Sequence, residues 1–478
     1  MAFLDRAANR GSISTGSYQI DYSLKLEADN SEYLGTGNIS TTPTDAKIGT
    51  YSCWVKRTEL GTNYLFVTGN SARYSRIFFN SDDKIQLYAG DSSWNSVQPI
   101  TNAVYRDTAA WYHIVLRIDT TDGTAANRLR LYVNGVEQTW GTAPNINQNA
   151  TPTLLEAFGS PGYHAWGRAL TPNWSTNDYF SGYLAEVHYV DGQSLAPTEF
   201  GEFDSDSGIW KPIEYEGTYG TVGYYLDFAD ADNLGDNESG TSLPDFTENN
   251  IAAIDQSTDT PTNNFCTLSP LWNFTNNPTI TEGGTKSAPS NAWSGAKATM
   301  GLSSGKWYWE WKASSQGNYM GVQTDGEDNI HSGNAQNNQM GAFFVHDGEF
   351  KIYDADSTSG RNDVDIDYAA FNSAHIFACA LDMDNNRISF YQNGTIIPDS
   401  AGGRANAPGN YDLDGLSDKT VFPTAAQYDV TFEWNFGGCT AFSISSAQSD
   451  ENGYGTFEHA PPSGYLAICT KNLAENGG

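Results

Sequence analysis

Few side chains in this sequence have types and spacings that could run a reaction. A retaining glycosidase needs two carboxylates about 5 Å apart, which the alternation of a β-strand supplies as E-x-D-x-x-E. Glu202-Phe203-Asp204 begins that motif, but Ser207 stands where the second glutamate would be. Asp363, Asp365 and Asp367 share one face of a strand; three like charges in a row suit a solvated sheet edge or an ion site better than catalysis. Gly301-Leu302-Ser303-Ser304-Gly305 has the spelling of a nucleophile elbow. Such an elbow sits between a strand and a helix, whereas the β-rich KWYWEWK follows here, so the segment reads as a loop entering a strand. The seven histidines show no H-E-x-x-H and no pairing with a nucleophile. The expectation is a protein that is not an enzyme.

Recognition is the chemistry this sequence can do. A sugar is gripped by a flat aromatic ring against its apolar face, with amides and carboxylates reaching its hydroxyls. The candidate ligand-binding residues are loop aromatics: Trp94 in GDSSWNS, Trp140, Tyr163, Trp166 and Trp174 in a long Pro/Asn/Trp-rich excursion, and Trp293 in SNAWSG. The alternative for each is packing over a sheet end or burial between subunits. Trp54, Trp111, Trp307 and Trp434 lie inside strand patterns and are assigned to the core.

The elements that must position these rings are short strands. YSLKLEA, TYSCWVKR, NYLFVTG, SRIFFN and KIQLYAG alternate with period two and stop at Gly, Asn, Asp or Ser. KWYWEWKAS, NYMGVQT, EFKIYDA and DVTFEWNFGG do the same after residue 300. A weak repeat supports two related halves: HIVLRID, turn, RLRLYVNG against HIFACALDMD, turn, RISFYQNG, aligning His113 with His375, Tyr132 with Tyr391 and Asn134-Gly135 with Asn393-Gly394. Asn-Gly between β-rich flanks predicts a type I′ hairpin. Residues 238–275 lose the alternation and fill with Thr, Asn, Asp, Ser and Pro, which reads as a linker. The organisation expected is an arm at 1–20, a sandwich at 21–237, the linker at 238–275 and a second sandwich at 276–478. In the arm, Phe3 to Asn9 could form a two-turn helix, with Phe3, Leu4, Arg6 and Arg10 as attachment residues.

Length and composition agree. A chain of 478 residues exceeds one ordinary core, and 47 glycines with 13% aromatics and only 17% charged residues favour turn-rich β structure. The net charge is −32, evenly divided: residues 1–272 hold 33 acidic and 15 basic side chains, residues 273–478 hold 24 and 10, giving −18 and −14. Such a surface repels phosphate backbones and anionic headgroups, so no nucleic acid and no membrane insertion are expected. Five scattered cysteines without C-x-x-C spacing read as buried free thiols. The start, MAFLDRAANRGSISTG, is too polar for a signal peptide.

The stretch from Tyr22 to about Asp230, with TYSCWVKR, TAAWYHIVLRID, RLRLYVNG and YFSGYLAEVHYVDGQSLAPTEFG, resembles laminin-G-like members of the concanavalin A-like lectin/glucanase superfamily. The resemblance implies an all-β jelly roll of two antiparallel sheets, with first and last strands paired, here YSLKLEA with YYLDFAD. From about Trp272 to Leu473 the chain resembles a SPRY domain, a variant of the same sandwich whose loops bind peptides. The order of FLDRAANRGSISTG and the two sandwiches is similar to tail-fibre-type virion proteins of marine and cyanobacterial bacteriophages, although no heptads or collagen-like triplets supply a shaft.

That resemblance implies a virion-surface location, made in the host cytoplasm without a signal peptide. The partners it implies are other virion proteins through the arm, host-surface glycan or protein through the loops, and a homo-oligomer, with a trimer among the forms that fit. A purely structural decoration or tail-assembly role is the alternative, and a secreted glycan-active enzyme a third. Laminin-G-like domains often hold calcium, which takes six to eight oxygens. Asp227, Asp230, Asp232 and Asp236 in DFADADNLGD and Asp382 to Asn386 are the acidic runs to test, against the alternative of plain turns.

Overall fold

The computed structural model describes residues 18–477 except 71–72, 90–96, 157–161, 170–177, 273–275, 291–292, 317–318, 326–340, 346–348, 354–360, 366–370, 399–408, 414 and 417. The arm residues Phe3, Leu4, Arg6 and Arg10 lie outside the described residues. The chain divides into two compact units, one ending at Thr262 and the other running from Asn263.

The first unit is built from strands β1 (Ser23–Leu26), β2 (Tyr33–Gly35), β3 (Ile48–Arg57), β4 (Asn63–Asn70), β5 (Tyr74–Phe79) and β6 (Ile85–Ala89). Next come β7 (Ile100–Thr101), β8 (Trp111–Asp119), β9 (Leu129–Val133), β10 (Val136–Glu137), β11 (Trp140–Thr142) and β12 (Gly162–Trp166). It closes with β13 (Gly182–Asp191), β14 (Gly201–Phe203), β15 (Trp210–Pro212), β16 (Tyr224–Leu226), β17 (Thr247–Asn249) and β18 (Gln256–Ser257). One sheet runs β10-β9-β8-β3-β13-β1-β18 and the other β11-β7-β6-β5-β4-β12-β2-β17. Their inner faces bury Leu24, Leu26, Cys53, Val55, Phe66, Ile77, Leu116 and Leu184 in one core.

The second unit begins with β19 (Thr279–Thr281), β20 (Lys286–Ala288), β21 (Ser294–Lys297), β22 (Lys306–Ala313) and β23 (Tyr319–Thr324). It continues through β24 (Gly341–Val345), β25 (Glu349–Tyr353), β26 (Arg361–Asp365), β27 (Phe377–Asp382) and β28 (Arg387–Gln392). The last strands are β29 (Thr395–Ile396), β30 (Tyr411–Asp412), β31 (Val421–Gln427), β32 (Phe432–Asn435) and β33 (Leu466–Ala467). Its sheets run β19-β20-β32-β22-β27-β28-β29 and β21-β31-β23-β24-β25-β26. The alternation of KWYWEWK sends Trp307, Trp309 and Trp311 into its core, all fully buried.

Both units therefore have one topology. The order β10-β9-β8-β3-β13-β1 recurs as β29-β28-β27-β22-β32-β20, and β7-β6-β5-β4-β12-β2 recurs as β26-β25-β24-β23-β31-β21. The chain is all-β, two concanavalin A-like sandwiches in sequence. The repeated hairpin is the same turn twice: Asn134 and Gly135 have φ of 49° and 75°, and Asn393 and Gly394 have the same values. The Asn134 side chain accepts the His113 amide at 2.8 Å and Asn393 that of Ile376 at 3.0 Å. His113 thus corresponds to Ile376, one residue from the His375 that sequence matching suggests.

Gly135 lies under Trp210, where an added Cβ would sit 2.3 Å from the indole. Gly135→Ala, combining that clash with a positive φ, is expected to destabilise the first unit by about 2 kcal/mol or more, read as a lower unfolding midpoint in urea.

Two expectations are corrected. YSLKLEA does not pair with YYLDFAD; β1 and β16 instead lie end to end along β13, at Leu24–Leu184 and at Leu226–Val187. A bulge in β13 between Ala185 and His188 separates the two pairings. Residues 238–275 do not form a linker: β17 pairs with β2, β18 with β1, and Phe265, Cys266 and Leu268 are core residues of the second unit. Their polar composition serves buried contacts. Asp259 forms an ion pair with Lys56 at 2.6 Å and accepts the Trp111 indole N–H at 3.0 Å, all deep in the first unit. All five cysteines are free thiols, and four are buried.

Candidate functional site

The reactive spellings dissolve into local structure. Glu202 and Asp204 lie on the β14–β15 hairpin with the Lys211 ammonium 3.2 Å from each. Ser207 donates its hydroxyl and its amide to Asp204 Oδ1, which with Lys211 holds that carboxyl down to about 2. Gly301 to Gly305 leads directly into β22, and the Gly305 amide donates to Asp384 Oδ1 at 2.8 Å. Asp382 accepts the Asn385 amide and pairs with Lys306, so this run is a turn. Asp363 and Asp365 are on β26, while Asp367 lies outside the described residues.

Of the four aspartates considered for calcium, Asp227 and Asp236 lie within electrostatic reach of each other, but the side chains of Asp227 and Asp230 are engaged in local turns. Asp227 caps the Ala229 amide and Asp230 the Asp232 amide, each at 2.9 Å, in side-chain turns. Asp232 is exposed and Asp236 half-buried. Among the described residues no three acidic, histidine or cysteine side chains meet as a metal would require. The donor set does not fit calcium.

Of the candidate aromatics, Trp166 is a correction. It sits on β12, 1% exposed, and donates its indole N–H to the Tyr224 hydroxyl at 3.0 Å inside the core. The loop assignment failed because β12 supplies an inward-facing strand in the middle of the excursion. Trp140 is on β11, the edge of its sheet, half-buried against the core. Tyr163 is on β12 opposite Gly69. Trp94 and Trp174 lie outside the described residues.

Trp293 is where an aromatic surface exists. It immediately precedes β21, an edge strand whose Ser294 faces Gln427 of β31, and this register puts residues 293 and 428 opposite each other. The half-buried Trp293 ring packs on Tyr319 at 6.0 Å, beside buried Phe343 and Ala426. The Tyr428 ring, 47% exposed, meets it at 5.7 Å and 45°. Asn276 donates its side-chain amide to the Trp293 carbonyl at 3.1 Å, fixing the turn. Two rings at an angle on a rigid sheet edge form an aromatic corner. Tyr428 gives the corner an exposed apolar ring.

A second cluster escaped the sequence reading. Glu186 stands at the β13 bulge with φ of 49° and accepts the hydroxyls of Tyr18 at 2.6 Å and Tyr225 at 2.8 Å. His188 stacks on Tyr225 at 4.5 Å and lies 2.9 Å from the Tyr219 hydroxyl. Burial first, then the Glu186 charge, raises Tyr18, Tyr225 and Tyr219 far above ordinary phenol values, so these hydroxyls stay protonated. The carboxylate is fully engaged, and the cluster ties the segment at Tyr18 onto β13. Its signal in the sequence is a broken alternation: the inward residues are Leu184, Val187 and Tyr189, a step of three and then of two.

Comparison with known proteins places the first unit. A family model described as the concanavalin A-like lectin/glucanases superfamily, laminin G type, matches residues 28–199. No curated protein matches the chain. Domains LG4-5 of the mouse laminin alpha1 chain are 9% identical over 94% of this chain and 97% of their own, with a TM-score of 0.29. A putative carbohydrate binding protein from Bacteroides ovatus is 15% identical over 48% of this chain and 59% of its own, TM-score 0.33. The SPRY domain of human HERC1 is 17% identical over 34% of this chain and 92% of its own, TM-score 0.24. At such TM-scores these likenesses carry no functional weight. Residues 28–199, which form part of the two antiparallel sheets of the first unit, are thus similar to laminin G domains of the concanavalin A-like type.

Proposed function

We propose that this chain is a non-enzymatic binding protein on the surface of a phage virion, attached through residues 1–20 and recognising host-surface glycan. The reading is carried by the aromatic corner of Trp293 and Tyr428, a ring pair able to stack on a sugar. Its net charge of −32 favours a neutral or cationic glycan over an acidic one, because an anionic sugar would be repelled from the whole surface. Trp140, Tyr163, Trp94 and Trp174 belong to the same proposal as contacts of the first sandwich. Calcium has no place in it. Copies of the chain assemble as a homo-oligomer, which multiplies weak single-site affinity.

Trp293→Ala and Tyr428→Ala should each weaken glycan binding about tenfold or more while leaving the thermal unfolding of the first unit unchanged. Titration calorimetry against a ligand found on a glycan array reads this. Affinity unchanged in both variants would place binding elsewhere. Deleting residues 1–17, which leaves Tyr18 on Glu186 and Ile20 on Thr262, should abolish incorporation into particles without touching glycan affinity; a deletion mutant that still incorporates would remove the arm from the account.

A further inference from the structure

The inner face of the first sandwich carries a cluster of buried polar atoms around His164. There His164 is 1% exposed, and at most one of its ring nitrogens, toward the Glu156 backbone, has a partner in the protein. Thr68 stands directly opposite it on β4, and its hydroxyl is unpartnered and buried. Tyr189, from the facing sheet, meets the imidazole edge-on at 5.7 Å, and its hydroxyl also has no protein partner. All three side chains point between the sheets, since Phe66 and Trp166, two residues along their strands from Thr68 and His164, are core residues.

Leaving three such atoms dry would cost more than most single interactions provide, whereas one water satisfies two to four buried polar groups at once. The rings of Phe66 at 5.7 Å, Tyr189 at 5.7 Å and Tyr224 at 6.0 Å surround the imidazole. The two imidazole nitrogens point in divergent directions, so one water meets only one of them, as donor or acceptor according to the tautomer.

We infer that the first sandwich holds a structural water site between its sheets, built by His164, Thr68 and Tyr189. The bound water fixes the His164 ring and links β4, β12 and β13 across the interior. It is a feature of the scaffold and is independent of what the aromatic corner binds.

Thr68→Val tests it by sign. Valine has the same shape without the hydroxyl, so the fold is expected to survive. If the hydroxyl holds a water, its removal strands that water and the urea midpoint of the first unit falls. If the hydroxyl is dry, removing it relieves an unsatisfied group and the midpoint stays or rises, which overturns the inference. A crystal structure of the full chain that shows ordered solvent gives the second reading. A water within hydrogen-bond reach of a His164 nitrogen and of Thr68 Oγ1 or the Tyr189 hydroxyl is expected. A dry site, or both His164 nitrogens bonded to the protein, overturns it.

Discussion

Asp259→Asn is expected to cost the first sandwich about 3–5 kcal/mol, enough to unfold it at modest urea concentration. The carboxylate lies 2.6 Å from the Lys56 ammonium, and both side chains are shut off from solvent at 1% and 0% exposure. Neutralising the aspartate leaves a buried ammonium without its counter-charge, and the rotated amide also loses its match to the Trp111 indole N–H. The backbone at 259 is held by Ser23, whose hydroxyl donates to its carbonyl at 2.6 Å. Loss of the pair therefore loosens the 256–262 segment from β1. The double variant Lys56→Met with Asp259→Leu should recover much of the loss, because replacing both charges removes the desolvation cost as well. Chemical denaturation of the four species in a double-mutant cycle measures this; an Asp259→Asn variant within about 1 kcal/mol of the parent would contradict a structural role for the pair.

The second large effect is in pH. Burial lowers His164 from its ordinary 6.5 to about 4. Above pH 6.5 the imidazole is neutral in both folded and unfolded chains and contributes nothing to pH dependence. Between pH 6.5 and about 4 the unfolded chain binds a proton that the folded chain refuses, so stability falls as the pH falls, by about 3 kcal/mol over the window. His113, lowered by burial to about 3, acts in the same direction. Glu32 opposes them: burial pushes it up to about 7, so the folded chain keeps a proton that the unfolded chain loses between 4.5 and 7, and acidification favours the fold there. Glu32 offsets about one of the two histidines, so the parent still loses stability toward acid. The His164 contribution emerges as a difference, since His164→Phe should gain about 3 kcal/mol on the parent between pH 7 and pH 4. Parallel urea titrations at the two pH values read it, and equal slopes would show that the imidazole is protonated in place or exposed.

Strands were legible because alternation is a local property. KWYWEWK alternates tryptophan with polar or tyrosyl residues, and β22 buries Trp307, Trp309 and Trp311 accordingly. Asn134-Gly135 and Asn393-Gly394 announced two identical turns, and the topological repeat followed from them. What was illegible depended on contacts distant in sequence. Asp259 and Thr262 look like linker residues until Lys56 and the backbone at Ile20 are brought beside them by the fold. Trp166 looks like a loop aromatic until β4 and β2 flank it as a strand. The bulge at Glu186 was visible only as a one-residue slip in alternation, which no composition rule marks. Of the candidate site, SNAWSG pointed to Trp293; its partner Tyr428 is 135 residues away by subtraction of their numbers and meets it only through the β21–β31 register.

Two related sandwiches, one of them laminin G-like, are expected to present the aromatic corner of the second to a sugar. Binding of the intact chain to a glycan array that carries neutral, amino and acidic oligosaccharides tests this most directly. The prediction is retention of a neutral or cationic glycan, lost in the Trp293→Ala, Tyr428→Ala double variant. An intact chain that binds no glycan on the array and no host cell, or that binds acidic glycans equally with or without the two rings, contradicts it.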